Sequence, residues 1–140
     1  MAERLYRLDE IFQRYPIYFV TACTYARRRI LADPKIHSRL INFAKEGEHR
    51  GAWVGDFILM PDHFHLFVAV DETRTGLSTW IKSLKNTLSK TLRDSGIPSP
   101  HWQKGFFDHV LRSGESYSEK WEYVRHNPVR AGLVEDPDAW

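Results

Sequence analysis

Two β-strand candidates lie next to each other at the centre of the chain, and only residues 60–62 separate them. Residues 52–59 and 63–70 are both rich in the β-branched and aromatic residues that favour strands. So short a connection predicts a hairpin, because antiparallel strands can be joined by a tight turn whereas parallel strands need a long crossover. We therefore expect an antiparallel pair at the centre of the fold.

Further strand and helix patterns lie on either side of this hairpin. Residues 17–24 are rich in β-branched and aromatic residues and follow a proline, whereas residues 105–112 alternate imperfectly. Asp33 before Pro34 predicts the N-cap and the first residue of a helix. The predicted elements are a strand at 17–24, a helix from residue 33 to about 47 or 51, a helix at 77–93 and a strand at 105–112.

A last helix is predicted near the carboxyl end of the sequence. Ser116-x-x-Glu119 has the form of a capping box, and Pro128 predicts that the helix ends before it. The resulting order is βαββαβ followed by one more helix. We therefore predict an α+β fold in which residues 1–140 form a single domain, a ferredoxin-like sandwich with an antiparallel sheet, helices on one face and an added C-terminal helix.

The composition bounds the classes of function. A formal net charge of +2 is only mildly basic, so a nucleic-acid site would have to come from local clustering of cations. Cys23 is the only cysteine and cannot form an internal disulfide. No apolar run approaches the roughly 20 residues of a membrane span, and the first residues lack the apolar core of a signal peptide. We expect a soluble, cytoplasmic protein with no membrane association.

Two histidines, His63 and His65, open the most hydrophobic run of the chain. Residues two apart in a strand point to the same face, so both imidazoles should project side by side while Phe64 points the other way. Imidazole nitrogens suit Mn²⁺ or Zn²⁺, whereas Mg²⁺ would need added oxygen ligands. The pair is an incomplete metal site, and the alternative is two polar residues at a strand start. Asp62 would point to the wrong face, so we assign it to the turn.

Tyr123 and Asn127 lie four residues apart in the last predicted helix, so their side chains should share one face. A phenolate can attack phosphorus to give a covalent phosphotyrosine, and an asparagine oxygen could supply a metal ligand. The alternative is that Tyr123 packs against the sheet and Asn127 merely ends the helix. Tyr6, Tyr15 and Tyr117 stay open as rival nucleophiles at this point.

Three segments occur in an order that resembles a known protein family. They are LMPDHFHLFV at 59–68, WQKGFFDH at 102–109 and EYVRHNPVRAGLV at 122–134. Together they resemble the REP-associated tyrosine transposases, which belong to the single-tyrosine branch of the HUH nucleases. The resemblance spans roughly residues 15–135, and it assigns no chemistry to Asp108 or His109.

The resemblance implies a division of roles among the site residues. His63 and His65 would be metal ligands, Asn127 a third ligand, and Tyr123 the nucleophile in preference to Tyr117. Family members cut single-stranded DNA at or near imperfect hairpins, leaving a 5′-phosphotyrosine and a free 3′-hydroxyl, and the reverse reaction rejoins strands. The implied cofactor is Mg²⁺ or Mn²⁺ and the implied partner is single-stranded DNA with hairpin structure. The implied setting is a bacterial, nucleoid-associated protein that is a monomer or a homodimer.

Basic residues could collectively hold a single strand of DNA while exposed aromatic residues stack on its bases. Taken one at a time, each cation is better explained as a solvated surface charge. The predicted DNA-binding residues are Arg27, Arg28, Arg29, Lys82, Lys85, Arg93, Lys104, Arg112, Arg125 and Arg130.

Two other functions compete with a nuclease. A non-catalytic single-stranded nucleic-acid binder of the RNA-recognition-motif kind shares the βαββαβ topology, and residues 104–107 resemble the start of its aromatic motif. The similarity ends at Asp108 and His109, and the segment lies on the last predicted strand instead of the third. A domesticated relative that binds hairpins without cutting them is the third hypothesis, which the intact site residues do not exclude.

Overall fold

The computed structural model describes residues 1–6, 14–111 and 114–140. We number its elements in chain order. The strands are β1 (Ala2–Arg4), β2 (Ile17–Cys23), β3 (Ala52–Leu59), β4 (His63–Val70) and β5 (Phe107–Leu111). The helices are α1 (Pro34–Gly47), α2 (Leu77–Asp94), α3 (Gly114–Val124) and α4 (Asn127–Arg130). Within these ranges, no helix has the length and the apolar character needed to cross a bilayer.

The five strands form one sheet in the order β1-β3-β4-β2-β5, and every neighbouring pair is antiparallel. Elements β2 to β5, with α1 and α2 between them, follow the predicted βαββαβ order, so the ferredoxin-like prediction is confirmed. The added edge strand β1 was not predicted, because three residues are too few for an alternating pattern. The fourth predicted strand is shorter than expected, and Arg112 lies outside the described residues.

The two faces of the sheet carry separate apolar clusters. On one face α1 and α2 cover Phe64 and Leu66, both of which are fully buried. On the other face Phe67 packs against Tyr117 and Trp121 of α3, with ring centroids 4.1 Å and 6.3 Å away. Side chains alternate along β4, so its two histidines share the α3 face with Phe67.

The last helix begins earlier than predicted, and it ends before Pro128 as predicted but does not reach Asn127. It begins at Gly114, so Ser116 lies inside the first turn and is not the N-cap. It ends at Val124 because Pro128 has no N–H to donate to the Val124 carbonyl, and a proline at this position interrupts a helix. A second short helix, α4, begins at Asn127 with the proline in its first turn.

This break separates two residues that were expected to share a helical face. Tyr123 belongs to the last turn of α3, whereas Asn127 opens α4. His126 between them has φ −86° and ψ −1°, which turns the chain out of the α3 axis. Any cooperation between Tyr123 and Asn127 must therefore come from side-chain contacts and not from a shared helical face.

Candidate active site

His63 and His65 lie side by side on β4, as the alternation predicted. Their ring centroids are 4.8 Å apart and the ring planes are nearly perpendicular. His65 also stacks on Phe19 of the neighbouring strand β2, at 5.2 Å. The strand therefore presents two imidazoles to one point on the α3 face of the sheet.

The Nδ1 atom of each imidazole has its own hydrogen-bond partner. Asp62 Oδ1 lies 2.8 Å from His63 Nδ1, and Thr21 Oγ1 lies 2.8 Å from His65 Nδ1. Metal-binding histidines in proteins commonly donate one ring N–H to a carboxylate or other oxygen, which leaves the second nitrogen for the metal. Both Nε2 atoms are free of hydrogen bonds within the described ranges, so the donor set fits a divalent cation.

The electrostatics keep His65 neutral. Burial, together with the nearby charges of His63, Lys120 and Arg130, lowers the pKa of His65 to about 3. A group charged only below its pKa is neutral throughout the physiological range, so the His65 lone pair is available to a metal without loss of a proton. Sequence reasoning missed Lys120, whose ammonium group lies 4.8 Å from the Phe19 ring centroid.

Two imidazoles alone do not complete a coordination sphere. Among the described residues, no group of three or more His, Cys, Asp or Glu side chains is placed to hold a metal. From the described part of the chain, neutral oxygens could complete the sphere together with water or phosphate, and Mg²⁺ prefers such oxygen ligands. The predicted third ligand, Asn127, accepts a hydrogen bond on Oδ1 from the guanidinium of Arg130.

Tyr123 is the exposed tyrosine of α3. Its side chain is 66% exposed, and no other part of the described chain forms a hydrogen bond with its hydroxyl. The Arg130 guanidinium lies 4.0 Å from the centre of its ring. Arg130 therefore links Tyr123 to Asn127 while its charge reaches His65. The structure groups the four predicted residues as two pairs, His63 with His65 and Tyr123 with Asn127, and Arg130 acts on the first pair only through its charge.

Tyr123 opens onto a surface cavity of about 710 Å³. Neither histidine lines this cavity, so the tyrosine and the histidine pair border different spaces. The lining residues are Ser118, Glu119, Glu122, Tyr123, His126 and Arg130.

The rival tyrosines are engaged elsewhere. Tyr117 donates a hydrogen bond to buried Asp56 (2.6 Å) and accepts one from the Asp56 N–H (2.8 Å). Burial and the negative charge of Asp56 raise the pKa of Tyr117, which makes its phenolate inaccessible. Tyr6 donates to Glu48, and burial with this contact raises its pKa to about 12. Tyr15 stacks on Trp53 at 5.0 Å.

The Tyr117–Asp56 contact predicts a stability defect. Tyr117→Phe leaves the buried Asp56 carboxylate and N–H without this partner, so we expect a loss of about 1–3 kcal/mol in the free energy of unfolding. Urea denaturation measures this change in the free energy of unfolding. Tyr123→Phe is the matched control, because its hydroxyl is exposed, and it should change stability by less than about 0.5 kcal/mol. Equal stabilities for the two variants would contradict the contact.

Several cations predicted to bind DNA are held by contacts within the protein. Arg28 donates to the carbonyl oxygens of Pro98 and Pro100, both at 2.9 Å. Lys85 bonds to the carbonyls of Gln103 and Gly105, and its pKa is lowered by burial. Ion pairs with acidic residues hold the side chains of Arg27 and Arg125.

The remaining predicted cations differ from these. In the part of the chain that the structure describes, no hydrogen bond or ion pair involves the side chains of Arg29, Lys82, Arg93 and Lys104. Lys82 and Lys104 line a cavity of about 510 Å³ between α2 and the segment before β5. Asp108 and His109 are both exposed on β5, so neither takes part in a buried salt bridge.

The sequence profile described as transposase IS200-like matches residues 13–127, which is most of the chain. The chain belongs to the IS200-like transposase family. The resemblance inferred from three sequence motifs is thereby confirmed.

Individual relatives of this IS200-like transposase agree with the family match. A Haemophilus influenzae protein provisionally described as a REP-associated tyrosine transposase is 26% identical over 149 aligned positions, covering 96% of this chain and 81% of the relative. A REP-associated tyrosine transposase of Escherichia coli is 23% identical over 87 positions, covering 62% of this chain and 50% of the relative.

A solved structure shares the fold of this IS200-like transposase. It is described as a REP-associated tyrosine transposase bound to a REP hairpin, and it superimposes with a TM-score of 0.72. The alignment covers 99% of this chain and 80% of that one at 20% identity, a level at which the likeness concerns the fold alone.

Proposed function

We propose that this chain is a metal-dependent, single-stranded DNA endonuclease and transposase that cleaves and rejoins DNA at hairpin elements through a 5′-phosphotyrosine on Tyr123. The observation that carries the proposal is the pair of neighbouring imidazoles whose Nδ1 atoms are already bonded to Asp62 and Thr21. Metal-binding histidines typically donate one ring N–H in this way, which leaves both Nε2 atoms available to one ion. The hairpin substrate is favoured by the relatives, one of which is described in complex with a REP hairpin.

His63, His65 and Asn127 would hold the cation. A bound Mg²⁺ or Mn²⁺ would withdraw charge from the scissile phosphate and position it. For Asn127 to take part, its Oδ1 must exchange the Arg130 guanidinium for the cation. The released guanidinium, which carries a fixed positive charge, can then contact a phosphate oxygen.

Tyr123 supplies the nucleophile in this proposal. Its oxygen loses a proton to solvent and forms a bond to the scissile phosphorus, while the bond from phosphorus to the 3′-oxygen breaks and that oxygen takes up a proton. The products are a 5′-phosphotyrosine and a free 3′-hydroxyl, and attack by another 3′-hydroxyl reverses the step. Because one ester replaces another, no nucleotide cofactor is needed.

Tyr123 must also reach the phosphate. The helix that carries it is anchored on the sheet by Tyr117 and Trp121, whereas the exposed Tyr123 ring contacts Arg130. DNA bound between the imidazoles and the Arg130 side chain would bring the phosphate to the tyrosine. This proposal therefore requires rearrangement of the Arg130 contacts when substrate binds.

The sheet itself does not support the RNA-recognition-motif alternative. That kind of protein stacks bases on exposed aromatic residues of its sheet. Here Phe19 and Phe67 are 8% and 0% exposed, and α3 covers the face on which they lie, so the edge residue Phe107, 71% exposed, is the aromatic side chain of the described strands that is open to a base. Hairpin binding without cleavage remains the second candidate, because the Arg130 contact occupies Asn127 Oδ1.

Incubation with a labelled single-stranded hairpin oligonucleotide and Mn²⁺ tests the proposal. We expect a shortened strand and a denaturation-resistant protein–DNA adduct, both of which a chelator abolishes, because the two imidazoles need the cation to act on phosphate. Binding of the hairpin without cleavage would support the second candidate. Cleavage that persists with the chelator would overturn the metal-dependent mechanism.

A further inference from the structure

The 3-10 turn Tyr25–Arg27 has an unusual backbone. Ala26 and Arg27 have φ values of 53° and 54°, in the left-handed region that residues with a Cβ rarely occupy. Two consecutive residues in this region are costly, and such strain is found preferentially at functional sites, where the surrounding structure enforces it. The functional role of such a turn lies in the side chain that it positions.

The turn directs the Arg27 side chain to Asp62. Arg27 Nε donates to Asp62 Oδ2 at 2.9 Å, and the other oxygen of the same carboxylate, Oδ1, lies 2.8 Å from His63 Nδ1. The backbone of Asp62 is held as well, since its carbonyl accepts from the N–H and the hydroxyl of buried Thr24. Arg27, Asp62 and His63 therefore form one continuous hydrogen-bonded series.

We propose that Arg27 is a positioning residue for the metal ligand His63, acting through Asp62. This inference rests on the function proposed above and adds a residue to it. By holding Oδ2, the guanidinium leaves Oδ1 directed at Nδ1 and fixes the rotation of the carboxylate. A carboxylate in that position keeps the proton of His63 on Nδ1, so the lone pair of Nε2 is presented to the cation.

Arg29, two residues beyond Arg27, provides a matched control. Both arginines line a cleft of about 260 Å³ beside His63. Arg29 has no hydrogen bond or ion pair to any residue within the described segments, whereas Arg27 is bonded to Asp62. Each substitution by Ala removes one positive charge from the same cleft, but only Arg27→Ala breaks the hydrogen-bonded series to His63.

The direction of the change in Mn²⁺ affinity distinguishes loss of positioning from loss of a positive charge. Removing a cation near a metal site strengthens metal binding by Coulomb's law, and it should do so for either arginine. Loss of positioning weakens metal binding, because disrupting the outer partners of metal ligands typically costs 10- to 100-fold in affinity. We expect Arg27→Ala to weaken Mn²⁺ binding about 10-fold and Arg29→Ala to leave it unchanged or slightly stronger.

The affinity of the DNA-free protein for Mn²⁺, followed by electron paramagnetic resonance, tests the proposal. Arg27→Lys keeps the charge but loses the planar guanidinium, so it should also weaken binding. Arg27→Ala added to Asp62→Ala should cause no further loss, because both act through one series. Thermal melting of each variant checks folding, and the Lys variant supplies the test if the Ala variant unfolds.

The outcomes separate this inference from the proposed function. Equal Mn²⁺ affinities for Arg27→Ala and Arg29→Ala, in a parent protein whose binding needs His63 and His65, would overturn the role of Arg27 alone. A parent protein that binds no Mn²⁺ would overturn the metal site itself. A nitrogen-15 spectrum of the metal-free protein adds an independent readout. The His63 proton should lie on Nδ1 in the parent and in Arg29→Ala, but should be shared between both nitrogens in Arg27→Ala.

Discussion

Tyr123→Phe is expected to abolish the covalent protein–DNA adduct, with a loss of at least about 1000-fold in the rate of its formation, because the phenol oxygen is the atom that bonds to phosphorus. The substitution removes a single exposed oxygen that has no hydrogen bond within the described residues. The ring and its contact with Arg130 remain. Affinity for the hairpin should therefore stay within about twofold of the parent, which a gel-shift assay measures.

Tyr117→Phe, on the same helix, is the matched control for this loss. Its hydroxyl is buried against Asp56, so its removal should lower stability while the adduct still forms below the melting temperature of the variant. Tyr123→Phe should therefore prevent adduct formation without lowering stability, whereas Tyr117→Phe should lower stability without preventing adduct formation. An adduct retained by Tyr123→Phe, or lost by a folded Tyr117→Phe, would assign the nucleophile to another residue.

His65→Ala is expected to reduce cleavage at least about 100-fold at a fixed Mn²⁺ concentration, because it removes one of two imidazole ligands. High Mn²⁺ should restore part of the rate, which it would not do if the variant were merely misfolded. His49→Ala removes an exposed imidazole far from β4 in sequence and should leave the rate unchanged. Cleavage by His65→Ala at the parental rate would exclude this residue from the metal site.

Local patterns were sufficient to predict most of the fold. The strands β2, β3 and β4 follow the alternation and composition of their segments almost to the residue, and α1 begins at the predicted cap, where Asp33 accepts a hydrogen bond from the Lys35 N–H at 2.7 Å. The shared face of His63 and His65 also follows from the period of a strand. These features depend only on residues close together in the chain.

The features that the sequence did not predict depend on distant residues or on the exact position of a helix end. The His65 partner Thr21 is its direct neighbour across the β2–β4 pair, so finding it requires the register of two strands 44 residues apart. Arg27 reaches Asp62 only because two residues adopt left-handed conformations, which no motif indicates. The helix ends at Val124, four residues before Pro128, because the missing N–H of the proline removes the hydrogen bond to the Val124 carbonyl.

Tyr123 and Asn127 lie on two different helices, so their relative position is not fixed by helical geometry. Helical spacing alone would have placed both side chains in one fixed arrangement. The structure instead holds them together through Arg130, a side chain that can exchange one partner for another. The two proposed site residues are therefore joined by contacts that substrate and metal could replace, which is compatible with a site that assembles when DNA binds.

Peptide mapping of the covalent adduct tests the central claim most directly. Trypsin cleaves after Lys120 and Arg125, so Tyr123 lies on the peptide of residues 121–125, separate from the peptides that contain Tyr6, Tyr15 and Tyr117. After reaction with a hairpin oligonucleotide and Mn²⁺, followed by nuclease digestion, mass spectrometry should find a 5′-nucleotide on the 121–125 peptide and on no other. A nucleotide on the peptide that contains Tyr117, or no covalent nucleotide after confirmed strand cleavage, would contradict a mechanism through Tyr123.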